Sequence, residues 1–419
     1  LLCAGFAFAP GAAFSQSAPA PGLEALQEQN RILQQQVQQQ QSQIDELRSR
    51  LEAVEIQAPA NPTRPAPAGT SSAGTIRLSA EAGLRLFSSG NDGQQPSAAF
   101  RVDDARLFVE APVWKTGYFY SALELATRES PDDYFHLGEF YLDVEQLWSG
   151  SRDMNLSLRV GRFYIPFGEE YQFRNVMDDP LVSHSVADIW GLDQGVQIYG
   201  RLGRVQYNLA VQNGGDKATR DFDEAVAARL SLPVNAQLSL SASAMRTGKL
   251  KAANGLSEVW LADAFFRALG PAATTQTFDA ELAEVDATYR WPGGRFRADA
   301  GWIRFDDDST SANDLRHMHY YSLEAMQHLG DNLFAAARYS MTGAPDGYPL
   351  GGQGNLGKYF YNPFAPLTTK LERLSVGLGY QFRPPLVWKV EYSWESGRLL
   401  SGAKRNDEDL LSTLLGMRF

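Results

Sequence analysis

From about Thr75 to Phe419 the chain repeats one pattern, stretches of about ten residues in which apolar and polar side chains alternate. The connections between the stretches alternate as well, long and polar, then very short. A strand points successive side chains to opposite faces, so each stretch has one apolar and one polar face. Repeated this often with unequal connections, the pattern fits an antiparallel barrel with lipid outside, a polar lumen inside, and short turns gathered at one rim. Tight connections fall at Trp114-Lys-Thr-Gly117, Leu202-Gly-Arg204, Pro233-Val-Asn235, Pro292-Gly-Gly294, Leu329-Gly-Asp-Asn332 and Arg383-Pro-Pro385. Gly, Pro, Asn and Asp supply the backbone angles such turns need. The expected fold is all-β: a transmembrane antiparallel β-barrel of about sixteen strands over residues 75–419, preceded by a short N-terminal coiled-coil helix.

Composition narrows the class further. No run of 18 apolar residues occurs, which excludes a helical membrane span. The mean hydropathy is mildly negative, as it must be when half of every strand faces water. A net charge of −11 and the lack of a basic, aromatic-rich run argue against nucleic acid as a partner.

The first 74 residues divide into three parts. Residues 1–15 read as a signal peptide truncated at its start, with Ala13 and Ser15 fitting the small-x-small cleavage rule and a mature start near Gln16. The only cysteine, Cys3, falls within it, so the exported chain carries no thiol chemistry. Over residues 16–57, Leu23, Leu26, Asn30, Leu33, Val37, Gln40, Ile44, Leu47, Leu51 and Val54 alternate in spacings of three and four, the a and d positions of a coiled coil. A coiled coil needs partners, so the chain is expected to be an oligomer, with the helix in the periplasm beside the short-turn rim. Residues 58–74 form a Pro/Ala/Ser-rich linker.

At the other end, Leu411, Thr413, Leu415, Met417 and Phe419 share one face. A terminal aromatic on an alternating strand is what barrel-insertion machinery recognises, making that machinery an expected partner through Phe419.

The most distinctive local segment is Leu158-Arg-Val-Gly-Arg-Phe-Tyr-Ile-Pro-Phe-Gly-Glu-Glu170, because Pro166 cannot donate to a strand ladder and ends one cleanly. Together with Asp103-Asp-Ala-Arg-Leu-Phe-Val-Glu110 and the residues after it, this run resembles the phosphate-selective porin O and P family of outer-membrane channels. The strand-end motif Gly161, Pro166, Phe167 carries most of the resemblance. It implies a trimer of sixteen-stranded barrels in a Gram-negative outer membrane, whose loop after the fifth strand folds inward to narrow the pore. In this chain that loop is Glu169–Asp193. The family often has Arg-Arg-Ala-Arg on its second strand, whereas this chain has Asp103-Asp104-Ala105-Arg106, so only Arg106 carries over.

The resemblance and the strand parity together give the pore-constriction candidates: Arg106, Arg159, Glu169, Glu170, Arg174, Asp178, Asp179 and Asp188. The loop's acids are expected to face Arg106 and Arg159 across the opening. Parity also turns Arg77, Arg229, Arg290, Arg338 and Lys389 inward, with about as many acids, which favours weak ionic selectivity.

No Gly-x-Ser-x-Gly elbow or Ser/His/acid grouping occurs, so no enzymatic activity is expected, nor any cofactor or metal. His317 and His319, near Asp306 and Asp308, are too sparse for a metal site. The expected function is passive diffusion of small hydrophilic solutes, with a possible preference for anions such as phosphate. The alternative is an outer-membrane anchor whose coiled coil tethers the membrane to peptidoglycan.

Overall fold

The structure is a computed structural model that describes residues 75–92, 97–126, 135–151, 154–169, 172, 175–186, 189, 191–214, 224–248, 250–251, 277–307, 315–350, 366–383 and 385–419. The expected signal peptide, coiled coil and linker lie outside the described residues.

Sixteen long strands build one sheet: β1 (Arg77–Ser89), β2 (Ala99–Trp114), β3 (Gly117–Ala126), β4 (His136–Ser151), β5 (Met154–Tyr164), β6 (Leu192–Leu202), β7 (Val205–Gln212), β8 (Ala225–Pro233), β9 (Leu238–Arg246), β11 (Thr277–Trp291), β12 (Gly294–Asp307), β13 (Leu315–His328), β14 (Leu333–Pro349), β15 (Leu367–Arg383), β16 (Leu386–Leu399) and β18 (Leu410–Arg418). Two-residue pieces, β10 (Leu250–Lys251) and β17 (Lys404–Arg405), extend the sheet beside β11 and β16. Every neighbouring pair is antiparallel, and β1 pairs with β18 from Glu81 opposite Arg418 to Ser89 opposite Leu410, which closes the barrel. Ala80 and Phe419 tie the seam at its end by exchanging backbone hydrogen bonds of 2.6 and 2.8 Å. Closure leaves no open edge, so each long strand has a hydrogen-bonded neighbour on both sides.

The two faces separate as the alternation requires. On β16, Lys389, Glu391, Ser393 and Glu395 point inward and are buried, while Trp388, Tyr392 and Trp394 point outward and are exposed. On β1, Glu81 and Arg85 are inward and Leu84 outward. At the short-turn rim, Gly117, Gly150 and Gly294 lie against the rings of Trp114, Trp148 and Trp291, where an added Cβ would collide. A glycine under each indole lets the ring settle onto the backbone, and such aromatics mark the polar–apolar boundary of a membrane barrel.

The lumen departs from a simple polar lining. Toward the long-loop rim, Ala227, Met245, Leu282, Ile303, Phe305, Tyr320 and Leu371 face inward and form one buried apolar cluster with Ile165, Phe167, Val186 and Ile189. The last four belong to the connection between β5 and β6.

Candidate functional site

Strand β5 ends where Pro166 cannot continue the ladder, and a hydrogen bond of 2.8 Å from Phe167 N–H to the Ile165 carbonyl turns the chain. Just before this turn, Gly161 adopts φ +140° and packs so tightly on Phe140 and Tyr141 of β4 that a Cβ would meet their backbone. Gly161 also stands opposite Gly195 of β6. Of the motif Gly161, Pro166, Phe167, then, the first allows the strand to bend, the second ends it, and the third buries in the apolar cluster.

The connection from Ile165 to Gly191 leaves β5 and returns to the adjacent β6, yet its partners lie on the far wall. Gly168 N–H donates to Ser243 on β9 at 3.1 Å, and Glu169 N–H to Glu284 on β11 at 2.8 Å. Arg229 on β8 reaches Glu169 with one nitrogen, at 2.5 Å, and the Gly168 carbonyl with the other, at 2.7 Å. Further along, Arg418 on β18 bonds Asn175 at 3.1 Å and Asp178 at 3.0 Å. Lys389 on β16 donates to the carbonyls of Val176 and Asp179. Glu391 on β16 accepts the N–H groups of Val182 and Ser183 and the Ser183 hydroxyl. Arg373 on β15 donates to the His184 carbonyl at 3.0 Å, while Arg338 on β14 bonds Asp179 at 2.9 Å and the Ser183 carbonyl at 2.7 Å. A connection between adjacent strands can touch β8, β14, β15, β16 and β18 only by crossing the lumen. The loop therefore folds inward.

Two kinds of force hold it there. Burying Ile165, Phe167, Val186 and Ile189 contributes about 1.5–3 kcal/mol for each large side chain. The charged contacts satisfy backbone groups that would otherwise be buried unpaired, at a cost of about 1–3 kcal/mol apiece.

The loop's charges also sit where their partners put them. Burial alone would raise the Asp179 carboxyl, but Arg338, His184 and Lys389 together hold it well below the usual carboxylate range. His184 Nδ1 lies 3.3 Å from Asp179. Burial, followed by the charge of Asp286, pushes Glu169 up to about 7.

These contacts differ from the expected arrangement, in which the loop's acids face Arg106 and Arg159. Glu169 instead pairs with Arg229, Asp179 with Arg338, and Asp178 with Arg418. The expectation missed these pairs because parity shows which residues face inward, but not which of them the loop crosses. Glu170, Arg174 and Asp188 lie outside the described residues.

Arg106 and Arg159 are lumen-facing and buried on the β2–β6 wall. Arg159 bonds Asp143 at 2.8 Å, with its guanidinium 4.2 Å from the Tyr141 ring and 5.4 Å from the Tyr199 ring. Tyr199 in turn donates to Asp143 at 2.5 Å. The stack continues through Tyr120, 5.0 Å from Tyr141, to Phe108, 6.4 Å from Tyr120. Five planar groups on five consecutive strands thus share one band of the wall. Arg106 lies 3.8 Å from both Asp104 and Glu124, and its Nε has no hydrogen-bond partner among the described residues. Asp104, at φ +40°, is the extra residue of a bulge where Ala82 pairs with Ala105 but Gly83 with Asp103. The bulge turns its carboxylate into the lumen.

Among the described residues no group of three or more His, Cys, Asp or Glu is placed to hold a metal ion. His317 and His319 are exposed on the outward face of β13.

An antiparallel barrel with a charged lumen and a loop folded into it defines the porin type of outer-membrane fold, and comparison with solved structures agrees. The outer-membrane channel DcaP of Acinetobacter baumannii aligns over 84% of this chain and 100% of its own, with a TM-score of 0.55 and 12% identity. OmpT of Vibrio cholerae covers 84% of this chain and 99% of its own, with a TM-score of 0.53 and 12% identity. OprB of Pseudomonas putida covers 82% and 94%, with a TM-score of 0.51 and 11% identity. Against known protein families and curated proteins the sequence gives no match.

Proposed function

We propose that this protein is an outer-membrane porin through which small hydrophilic solutes diffuse passively. The observation that carries the proposal is the inward loop, pinned to the far wall by Arg229, Arg338, Arg373, Lys389 and Arg418 within a closed barrel whose outer face is apolar. A barrel serving only as an anchor has no need of a loop fastened across its lumen. With the loop on the β8–β18 side, the solute path runs along the β1–β6 wall past Arg106 and the Arg159 stack. Those two residues, with Glu169, Asp178 and Asp179 placing the loop, form the constriction.

Ionic selectivity is weak in this reading, because among the described residues Arg159, Arg229, Arg297, Arg338 and Arg373 each have a carboxylate partner. The resemblance of Leu158–Glu170 to phosphate-selective porins supports a mild anion preference, borne by Arg106 in place of the family's arginine run. The unit is a homotrimer supported by the coiled coil of residues 16–57. A trimer form has been described for OmpT of Vibrio cholerae, a fold neighbour.

Reversal potentials under a salt gradient test the constriction. Arg106→Ala is expected to shift permeability toward cations, and an unchanged ratio in both Arg106→Ala and Arg159→Ala would remove these residues from the path.

A further inference from the structure

The wall beneath the second half of the inward loop is notched. Val176 and Val182 of the loop cluster with Leu414 of β18, and Leu181 is buried as well. Two residues beyond Leu414 on the same inward face stands Gly416, and on β15 the inward Gly377 follows the inward Ser375. A side chain at Gly416 would place its Cβ 2.7 Å from Val176 Cγ1 and 3.4 Å from Met177 Sδ, both on the loop, and 3.1 Å from Val387 Cγ1 on the wall. One at Gly377 would place its Cβ 2.8 Å from Leu181 Cδ2 of the loop and 2.9 Å from the Val390 carbonyl oxygen of β16. Real Cβ atoms essentially never come that close, so the loop could not lie where it does over either side chain. Neither glycine has a positive φ, so the backbone alone requires glycine at neither position. Glycine within a strand weakens it and marks a place where another part of the chain comes close. Here that part is the loop. Ser375 lets it approach in the same way, with its hydroxyl oxygen 3.3 Å from that of Ser183.

We propose that Gly416 and Gly377 set the width of the solute path by fixing how near the loop lies to the β15–β18 wall. The inference rests on the reading of the lumen as a diffusion path, and it assigns a width-determining role to residues that a solute does not touch. Lys389, Glu391 and Arg338 fasten this stretch of the loop, but long side chains can follow a small displacement. A Cβ cannot be displaced from its strand. A side chain at Gly416 therefore pushes Val176 off the wall and carries the loop toward Arg106 and the Arg159 stack, which narrows the path. Its effect is opposite in sign to that of freeing the loop.

The test measures single-channel conductance of the full-length protein in planar bilayers, alongside Gly416→Ala, Gly416→Leu, Val176→Ala and the double variant Gly416→Ala/Val176→Ala. Conductance steps are expected to shrink in Gly416→Ala and to fall about two-fold in Gly416→Leu. Val176→Ala removes the Cγ1 that the new Cβ meets, so the double variant should regain the step size of Val176→Ala alone. A glycine serving only the wall would show no such rescue. Steps of wild-type size in both Gly416 variants, larger steps in either, or a double variant that stays as narrow as Gly416→Ala would overturn the inference. If Gly416→Leu does not fold, Gly416→Ala and its double variant carry the test. If the wild-type protein does not conduct, the diffusion reading itself fails, and thermal unfolding of the same proteins decides the seating of the loop. A melting temperature lowered by Gly416→Ala and recovered with Val176→Ala supports that seating, and additive losses reject it.

Discussion

The two sides of the lumen wall handle buried charge differently. On β14–β18, cations reach off the wall to the loop: Arg338 to Asp179, Lys389 to the Val176 carbonyl, Arg418 to Asp178. On β2–β6, charge is answered within the wall, where Arg159 rests on Asp143 between Tyr141 and Tyr199. The first wall uses its charge to position the inward loop, and the second to make its own surface rigid. Substitutions on the two walls should therefore fail in different ways, the first by freeing the loop and the second by softening the wall.

The largest effect is expected from Arg338→Ala. It removes a buried guanidinium shared by Asp179, Glu324 and the Ser183 carbonyl, leaving Asp179 without its arginine while Glu324 keeps Arg297. Breaking a buried pair in this way costs about 3–5 kcal/mol, and thermal unfolding of the purified barrel should show it together with a rise in single-channel conductance. Stability lost with no change in conductance would show that Arg338 braces the wall alone.

Gly161→Ala comes next. Its φ of +140° and the contact with β4 both oppose a side chain, for a loss of about 1–3 kcal/mol. The fraction of barrel that folds into detergent micelles is a direct readout, and a normal yield would show that the strand end can relax.

On the other wall, Arg159→Lys keeps the charge but loses the planar stack, at about 1 kcal/mol. Thermal unfolding should shift slightly while conductance holds. An effect as large as that of Arg338→Ala would erase the distinction between the walls.

The smallest effect concerns pH. Glu169 sits on the loop with its carboxyl raised to about 7, so the folded protein holds that proton more tightly than the unfolded chain. Its contribution to stability is present at acid pH, below the ordinary carboxylate range, and is lost as pH rises through about 7. Asp179, shifted the other way, stays ionised throughout that window. Melting temperatures between pH 5 and 8 should fall with rising pH in wild type and flatten in Glu169→Gln. The same slope in both would assign the dependence to other groups.

Much of the wall was legible because its period is local. Leu411, Thr413 and Leu415 show their shared face within five residues, and Pro166 marks its strand end alone. The sixteen strands follow from counting such signals. The loop's partners were not legible, since Glu169 and Arg229 are 60 residues apart and Val182 and Glu391 are 209 apart. Nothing in the spacing of either residue names the other. The inward apolar cluster was hidden for a related reason. Ile303 and Phe305 share the parity of the inward Arg297, but nothing near them in the sequence names Phe167 and Val186 of the loop, with which they cluster. The extra residue at Asp104 was equally silent, because a bulge changes the register without changing the composition.

The central claim is that the loop from Ile165 to Gly191 is fastened inside a conducting barrel and limits its opening. Single-channel conductance of the purified oligomer in a planar bilayer, compared with that of the double variant Glu169→Gln/Asp179→Asn, tests this most directly. The account predicts stepwise openings in both proteins and larger steps in the variant. No openings in the wild-type protein, or steps of equal size in the two, would contradict it.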